Sequence, residues 1–133
     1  NEEQIIRGEE QLMVDLIDTI VYAGRLKDKS ALRSSSSGGA FTALSDFFLE
    51  NGNAVVAAIY NYENHTAEFQ MILNKNQRER AKGSKYMQSK PGYIYREAYN
   101  WLLENPEKEL LFVGMGCQSD GFRKFSESET RCT

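Results

Sequence analysis

The chain has 133 residues, 41% of them hydrophobic, and its 16 lysines and arginines against 19 aspartates and glutamates give a net charge of −3. This length suits one domain with a hydrophobic core, and the acidic balance argues against a nucleic-acid binder or an anionic-membrane binder. The apolar runs are far shorter than the roughly 20 residues of a membrane-spanning helix, so no membrane span is predicted. Two cysteines, Cys117 and Cys132, are too few for a disulfide framework, and a reducing, cytoplasmic setting is expected.

The first 24 residues are predicted to be an N-terminal helical segment, and residues 25–133 one continuous domain. Residues 11–21 carry apolar side chains at helical spacing with acidic side chains between them. This pattern is typical of a surface helix that buries one stripe.

A run of serines and glycines, Arg-Ser-Ser-Ser-Ser-Gly-Gly at residues 33–39, comes directly before a second apolar pattern. From Ala40 to Phe48 the apolar residues recur at helical spacing, and the Asn-Gly pair at 51–52 then predicts the helix end. The serine–glycine run therefore lies at the start of an apolar helix.

The rest of the chain alternates between strand and helix patterns. Residues 54–60 form an apolar run typical of a central strand buried on both faces, and residues 66–73 alternate as a half-buried antiparallel partner would. Further along, the pattern predicts helices over residues 76–82 and 92–103, a loop over 84–91, a third strand over 109–113, and a short last helix containing Phe122 and Phe125. The predicted fold class is α/β, with α+β as the alternative: a small mixed sheet flanked by helices.

Residues 33–39 also have the composition of an anion-binding loop. Glycine lets backbone N–H groups approach a ligand closely, serine hydroxyls add donors, and the following helix offers unpaired N–H groups at its positive end. Arg33 would add charge. The alternative is an ordinary helix cap with a flexible leader.

A second donor-rich stretch, Gly-Ser-Lys-Tyr-Met-Gln-Ser, occupies residues 83–89. Lys85 could pair with a phosphate or polarise an electron-rich ring, and Tyr86 could stack on that ring. The alternative is an ordinary surface loop. His65, the single histidine, lies in a polar turn and is predicted to be a solvated turn residue.

The third candidate is Gly-Met-Gly-Cys-Gln at residues 114–118, between a strand and a helix, where α/β folds tend to place ligands. A thiol at a helix N-terminus is more reactive than usual, although a buried, inert cysteine is the plainer interpretation of Cys117. The spacing of Cys117 and Arg123 also matches cysteine-dependent phosphatases, in which the Cys attacks phosphorus and the Arg holds the oxygens. A non-catalytic interaction domain is the remaining hypothesis.

These three blocks, in this order, resemble the N-terminal domain of the coenzyme F-420 (deazaflavin) hydrogenase/dehydrogenase beta-subunit family, over roughly residues 22–125. The resemblance implies a flavoprotein redox module with FAD and iron–sulfur clusters. It implies electron transfer between a partner, such as ferredoxin or a hydrogenase or dehydrogenase subunit, and deazaflavin or another acceptor.

Carried onto this chain, the resemblance assigns the flavin site to two blocks. Lys85 would stabilise the anionic reduced flavin and so act in catalysis, and Cys117 would lie near a cluster or the flavin as a possible metal ligand. The implied flavin contacts are Ser35, Ser36, Ser37, Gly38, Gly39, Ser84, Lys85, Tyr86, Gln88 and Ser89.

The chain departs from the family pattern in two respects. The family commonly reads Gly-Thr-Pro-Cys-Gln where this chain has Gly-Met-Gly-Cys-Gln at residues 114–118. A four-iron cluster normally needs four thiolates, and the chain has two cysteines. We therefore expect this chain to be part of a longer protein and to be inactive in isolation.

Overall fold

A computed structural model describes residue 20 and residues 22–132. The predicted helix over residues 11–21 lies outside the described residues, apart from Ile20. Within the described part of the chain, every helix is too short or too polar to serve as a bilayer span.

Four strands of the described residues form one mixed sheet in the order β3-β2-β1-β4. The central strand β1 (Ala54–Asn61) pairs antiparallel with β2 (Thr66–Ile72) and parallel with β4 (Leu110–Val113). A two-residue strand, β3 (Ser89–Lys90), extends the far side of β2 in parallel, within the stretch predicted to be a loop. Because β1 lies between two neighbours and is covered on both faces, its first four residues are buried, which confirms the predicted central strand.

Five helices are described, and four of them match predicted helices. The first, α1 (Lys29–Arg33), was not predicted because its sequence is polar; the Asp28 carboxylate begins it by accepting a hydrogen bond from Ala31 N at 2.6 Å. The last helix has 17 residues and is longer than the predicted short one. The remaining helices are α2 (Ala40–Glu50), α3 (Lys75–Glu79), α4 (Ile94–Glu104) and α5 (Gly116–Cys132).

The sheet has a hydrophobic core on each face, so the predicted α/β fold with flanking helices is confirmed. On one face, Val55, Ile59 and Ile72 are buried beneath Phe41 and Phe48 of α2. On the other face, Val56 is packed with Ile94 and Ala98 of α4 and with Phe112 and Phe122. Each fully buried aliphatic side chain contributes about 1.5–3 kcal/mol to this packing.

Helix α5 is held against α4 by aromatic rings and polar contacts. The Phe122 ring stacks on Phe112 with centroids 5.2 Å apart, and Tyr95 Oη donates a hydrogen bond to the carbonyl of Gln118 at 2.9 Å. The Arg96 guanidinium lies 4.8 Å from the centre of the Phe125 ring. These contacts fix the start of α5 beside the end of β4.

The buried face of α2 differs from a purely apolar stripe. Thr42 and Ser45 are its buried residues, whereas Leu44 and Phe47 are 53% and 62% exposed. The reason is a buried arginine, Arg78, which needs the polar groups of this face as hydrogen-bond acceptors.

The predicted buried face of β2 is also corrected at its end. The alternation of residues 66–73 predicted Ala67, Phe69, Met71 and Leu73 on the buried face, but Leu73 is exposed and its neighbour Ile72 is fully buried. The strand ends at Ile72, and helices cover both of its faces, so strict alternation of buried and exposed residues does not hold.

Candidate functional site

A cavity of about 470 Å³, which we call the first cavity, opens where β4 ends. Three stretches of sequence line it: the serine–glycine segment (residues 33–39), the lysine loop (residues 81–89) and the glycine turn (residues 114–118). The polar and turn residues among its lining are Ser35, Ser36, Gly39, Lys82, Gly83, Ser84, Lys85, Ser89, Gly114 and Gln118. The volume lies within the usual range of small-molecule sites.

The cavity exists because neighbouring strands have unequal lengths. Strand β4 ends at Val113, opposite Ala57, while β1 continues to Asn61 with β2 as its partner. Beyond Ala57, β4 no longer pairs with β1, so an open space remains beside the last part of β1. Ala58 and Phe69 form the apolar floor of this space. Ligands of α/β folds commonly occupy the carboxyl ends of strands in this way.

The glycine turn is closely packed at its first position, Gly114. A Cβ atom on Gly114 would lie 3.0 Å from the Phe112 ring and 3.1 Å from Gln118 Oε1. The Gln118 side chain accepts a hydrogen bond from Met115 N at 2.9 Å and so fixes the turn. A small residue at position 114 keeps this wall of the cavity open.

The serine–glycine segment brings the start of α2 to the cavity. Gly39 has a φ of 80°, in the left-handed region that glycine adopts without strain, and it has no side chain with which to cap the helix. The Ser35 hydroxyl lies 2.7 Å from Ala31 O and 2.7 Å from Thr42 Oγ1, which fixes its position. The first-turn N–H groups of α2 thus lie beside the cavity without a capping side chain.

The lysine loop supplies two ammonium groups. Lys85 Nζ donates to the carbonyls of Ala81 and Lys82 at 2.6 and 3.0 Å, so two of its three N–H groups are engaged. Burial lowers the pKa of Lys85 below its ordinary value of 10.5. A cation that has lost part of its hydration is well suited to bind an anion.

Lys82 connects the lysine loop directly with the serine–glycine segment. Its Nζ donates to Ser34 Oγ at 3.0 Å, although the two residues are 48 positions apart in the chain, and lies 2.9 Å from Glu79 Oε2. The hydrogen bond from Lys82 to Glu79 is the chief cause that lowers the pKa of Glu79. The serine–glycine segment and the lysine loop therefore meet in space.

The structure brings together some of the sequence-predicted site residues and separates others. Those on the first cavity are Ser35, Ser36, Gly39, Ser84, Lys85 and Ser89. Ser37, Gly38 and Gln88 are not among its lining residues, and Tyr86 lines a neighbouring cavity instead. Gly38 packs its backbone against Gly24, where a Cβ atom would lie 2.5 Å from the carbonyl oxygen.

Sequence reasoning missed several lining residues, among them Thr42, Phe69 and Lys82, whereas Gln118 belongs to the third candidate block. Lys82 carried a usable signal, because it directly precedes Gly83 and so belongs to the same cationic turn. Phe69 carried none, since its alternation pattern predicts only a strand residue.

Cys117 lies in the first turn of α5, exposed and as a free thiol, so the alternative of a buried cysteine is wrong.

The phosphatase arrangement is not formed, because residues 117–123 are helical. This geometry turns Cys117 and Arg123 about 120° apart around the helix axis. Arg123 is instead paired with Asp120 at 2.7 Å and Glu127 at 3.1 Å.

The described part of the chain shows neither a metal-binding cluster of side chains nor a histidine in a catalytic setting. No group of three or more histidine, cysteine, aspartate or glutamate side chains within residues 22–132 could hold a metal ion. His65 is exposed in a turn with a φ of 53°, and its Nδ1 lies 3.1 Å from Tyr60 Oη, which confirms the predicted solvated turn residue.

One family model matches the chain. It is described as coenzyme F420 hydrogenase/dehydrogenase, beta subunit N-term, and it covers residues 21–92, which is more than half of the chain. The match includes the serine–glycine segment and the lysine loop, while the glycine turn lies beyond it. Neither a curated protein nor a solved structure matches the chain.

Proposed function

Because this chain belongs to the coenzyme F420 hydrogenase/dehydrogenase beta-subunit family, and matches the model of its N-terminal part, we propose that it is the flavin-binding part of a redox enzyme subunit. In this proposal, the first cavity receives FAD. The observation that carries the proposal is the meeting of the serine–glycine segment, the lysine loop and the glycine turn around one cavity.

The donors at the cavity suit a diphosphate. The uncapped first turn of α2 presents backbone N–H groups and the positive end of an 11-residue helix. The hydroxyls of Ser36 and Ser84 line the same space. Together these groups would bind the phosphate oxygens of FAD without using a charged side chain.

Lys85 would supply the positive charge of the site. Two of its N–H groups are held by backbone carbonyls, so the ammonium is fixed in place and has one further donor for an anionic atom of the ligand. Bound FAD supplies hydride or single-electron transfer. A fixed cation beside the ring would favour its negatively charged form, and Phe41, Phe69 and Met87 would exclude water from it.

The described residues do not fit an iron–sulfur cluster. Cys117 is exposed and has no second thiol or histidine among the described side chains with which to share a metal. We therefore assign no cluster to the described side chains. A redox partner such as ferredoxin or a hydrogenase subunit would exchange electrons with the flavin.

FAD binding to the 133-residue chain tests the proposal, with flavin fluorescence as the measurement. Replacing Lys85 by Ala (Lys85→Ala) should weaken binding about tenfold or more, because a hydrogen bond to a charged group is lost. Wild-type affinity should also fall as the pH rises through the lowered pKa of Lys85, below 10.5, since the neutral amine no longer supplies a positive charge beside the bound flavin. Lys85→Arg should keep binding to higher pH.

The matched control is Lys29→Ala, which removes an exposed lysine on α1 and should leave FAD affinity unchanged. A chain that does not quench flavin fluorescence, or one in which both lysine variants weaken binding equally, would contradict the proposal. Failure to bind flavin at all would favour the hypothesis of a non-catalytic interaction domain.

A further inference from the structure

A second cavity, of about 550 Å³, lies next to the first and is lined by three tyrosines. The two cavities share Lys82, Ser84, Lys85 and Met87, so the lysine loop is their common wall. Nothing in the proposed flavin site uses the side chains that line this second cavity alone.

The aromatic rings of the second cavity are available to a ligand. Tyr60 and Tyr62 form an edge-to-face pair with centroids 4.8 Å apart, so one wall is rigid. Tyr62 is 80% exposed and Tyr86 is 97% exposed. Large rings left this open beside a cavity contribute little to folding, but they offer flat surfaces on which a planar ligand can stack.

The charge of the second cavity is positive. Arg80, Lys82 and Lys85 line it against a single carboxylate, that of Glu79. Glu79 is already neutralised by Arg78 at 3.1 Å and Lys82 at 2.9 Å. Arg80 is exposed and forms no ion pair with another described residue, so its guanidinium is free to bind an anion in two-pronged fashion.

We propose that the second cavity is a separate binding site for an anion that carries a planar aromatic ring, of about the size of a mononucleotide. The ring would stack on Tyr86 or the Tyr60–Tyr62 pair, and Arg80 would hold the phosphate. This inference goes beyond the proposed flavin site and stands without it, since Tyr60, Tyr62, Arg80 and Tyr86 do not line the first cavity.

Calorimetric titration of the chain with AMP tests the inference. Two further probes are adenosine, which lacks the phosphate, and ribose 5-phosphate, which lacks the aromatic base. AMP should bind at one site per chain and more tightly than either half. Tyr86→Ala and Arg80→Ala should each weaken AMP binding about fivefold or more, the range expected for loss of base stacking or of a charged hydrogen bond. Because both side chains are exposed, the variants should fold normally.

Two controls separate this site from the rest of the molecule. Tyr93→Ala and Arg131→Ala remove an exposed tyrosine and an exposed arginine elsewhere and should not change AMP binding. Ser36→Ala, which alters the first cavity alone, should not change it either.

AMP binding that falls with Ser36→Ala but not with Tyr86→Ala would place the ligand in the first cavity and overturn the inference. Equal binding of adenosine and AMP would also overturn it, as would competition in which FAD displaces AMP completely. Loss of FAD binding with AMP binding intact would refute the flavin proposal alone.

Discussion

Arg78 is the single residue that most determines how the polar face of α2 packs. Its side chain is 5% exposed, and its NH1 donates to Thr42 O and Ser45 Oγ at 3.2 Å each. The second terminal nitrogen, NH2, lies 3.0 Å from Asp46 Oδ1 and 3.1 Å from Glu79 Oε1. One buried cation thus connects α2 with α3, the helix that leads into the lysine loop.

Removing this cation takes a charged donor away from Thr42 O, Ser45 Oγ and the carboxylates of Asp46 and Glu79, and it leaves unfilled space between α2 and α3. We expect Arg78→Ala to lower the free energy of unfolding by about 2–4 kcal/mol. Arg78→Lys should cost less, because it keeps the charge but loses the two-pronged geometry. Urea denaturation measures both, with Arg131→Ala as the exposed control; equal stability of Arg78→Ala and the control would refute this account of α2 packing.

At the scale of elements, the turn into α2 depends on one glycine. Gly39 has a φ of 80°, and a Cβ atom there would lie 2.4 Å from Leu26 Cδ1. The carbonyl of Gly38 accepts a hydrogen bond from Leu26 N at 2.9 Å, which holds the backbone of Leu26 beside this turn. The orientation of the α2 N-terminus toward the first cavity follows from this packing.

A pair of alanine substitutions separates backbone strain from the general effect of replacing glycine. Gly39→Ala should destabilise the chain by about 1–3 kcal/mol through the left-handed conformation and the contact with Leu26. Gly116→Ala, in the first turn of α5 with no atom within 4 Å of the added Cβ, should be neutral or slightly stabilising. Thermal unfolding of the two variants gives the comparison, and equal melting temperatures would contradict the proposed strain.

At the scale of the whole molecule, the first cavity is a product of tertiary structure. Its walls come from residues 33–39, 81–89 and 114–118, which are held around one end of the sheet by contacts such as that between Lys82 and Ser34. A ligand in this cavity contacts all three walls only in the folded chain, so its binding energy adds to global stability.

FAD at about 100 times its dissociation constant should therefore raise the free energy of unfolding by about 2.7 kcal/mol. The melting temperature should rise by several degrees in the wild type and much less in Lys85→Ala at the same FAD concentration. Scanning fluorimetry measures both, and a shift that is the same in the two proteins would place the flavin elsewhere.

Much of the fold followed from local patterns. The apolar run of residues 54–60 predicted the central strand, and the alternation of residues 66–73 predicted its antiparallel neighbour, because a short apolar run and a two-residue period are both typical of strands. The resemblance to the F420 family also followed from the sequence; the family match bears out the family and covers two of its three motifs, residues 33–39 and 83–89. Helix α1 was not predicted, because its stability comes from the Asp28 cap rather than from an apolar stripe.

The sequence by itself determined the element types, the central strand and the family, since each is encoded in residues that are neighbours along the chain. Only the tertiary structure decided that Lys82 reaches Ser34 and that Tyr86 faces a second cavity. These outcomes depend on where β4 ends relative to β1 and on how a buried arginine sets the face of α2. Such distances join residues far apart in the chain, and no local periodicity records them.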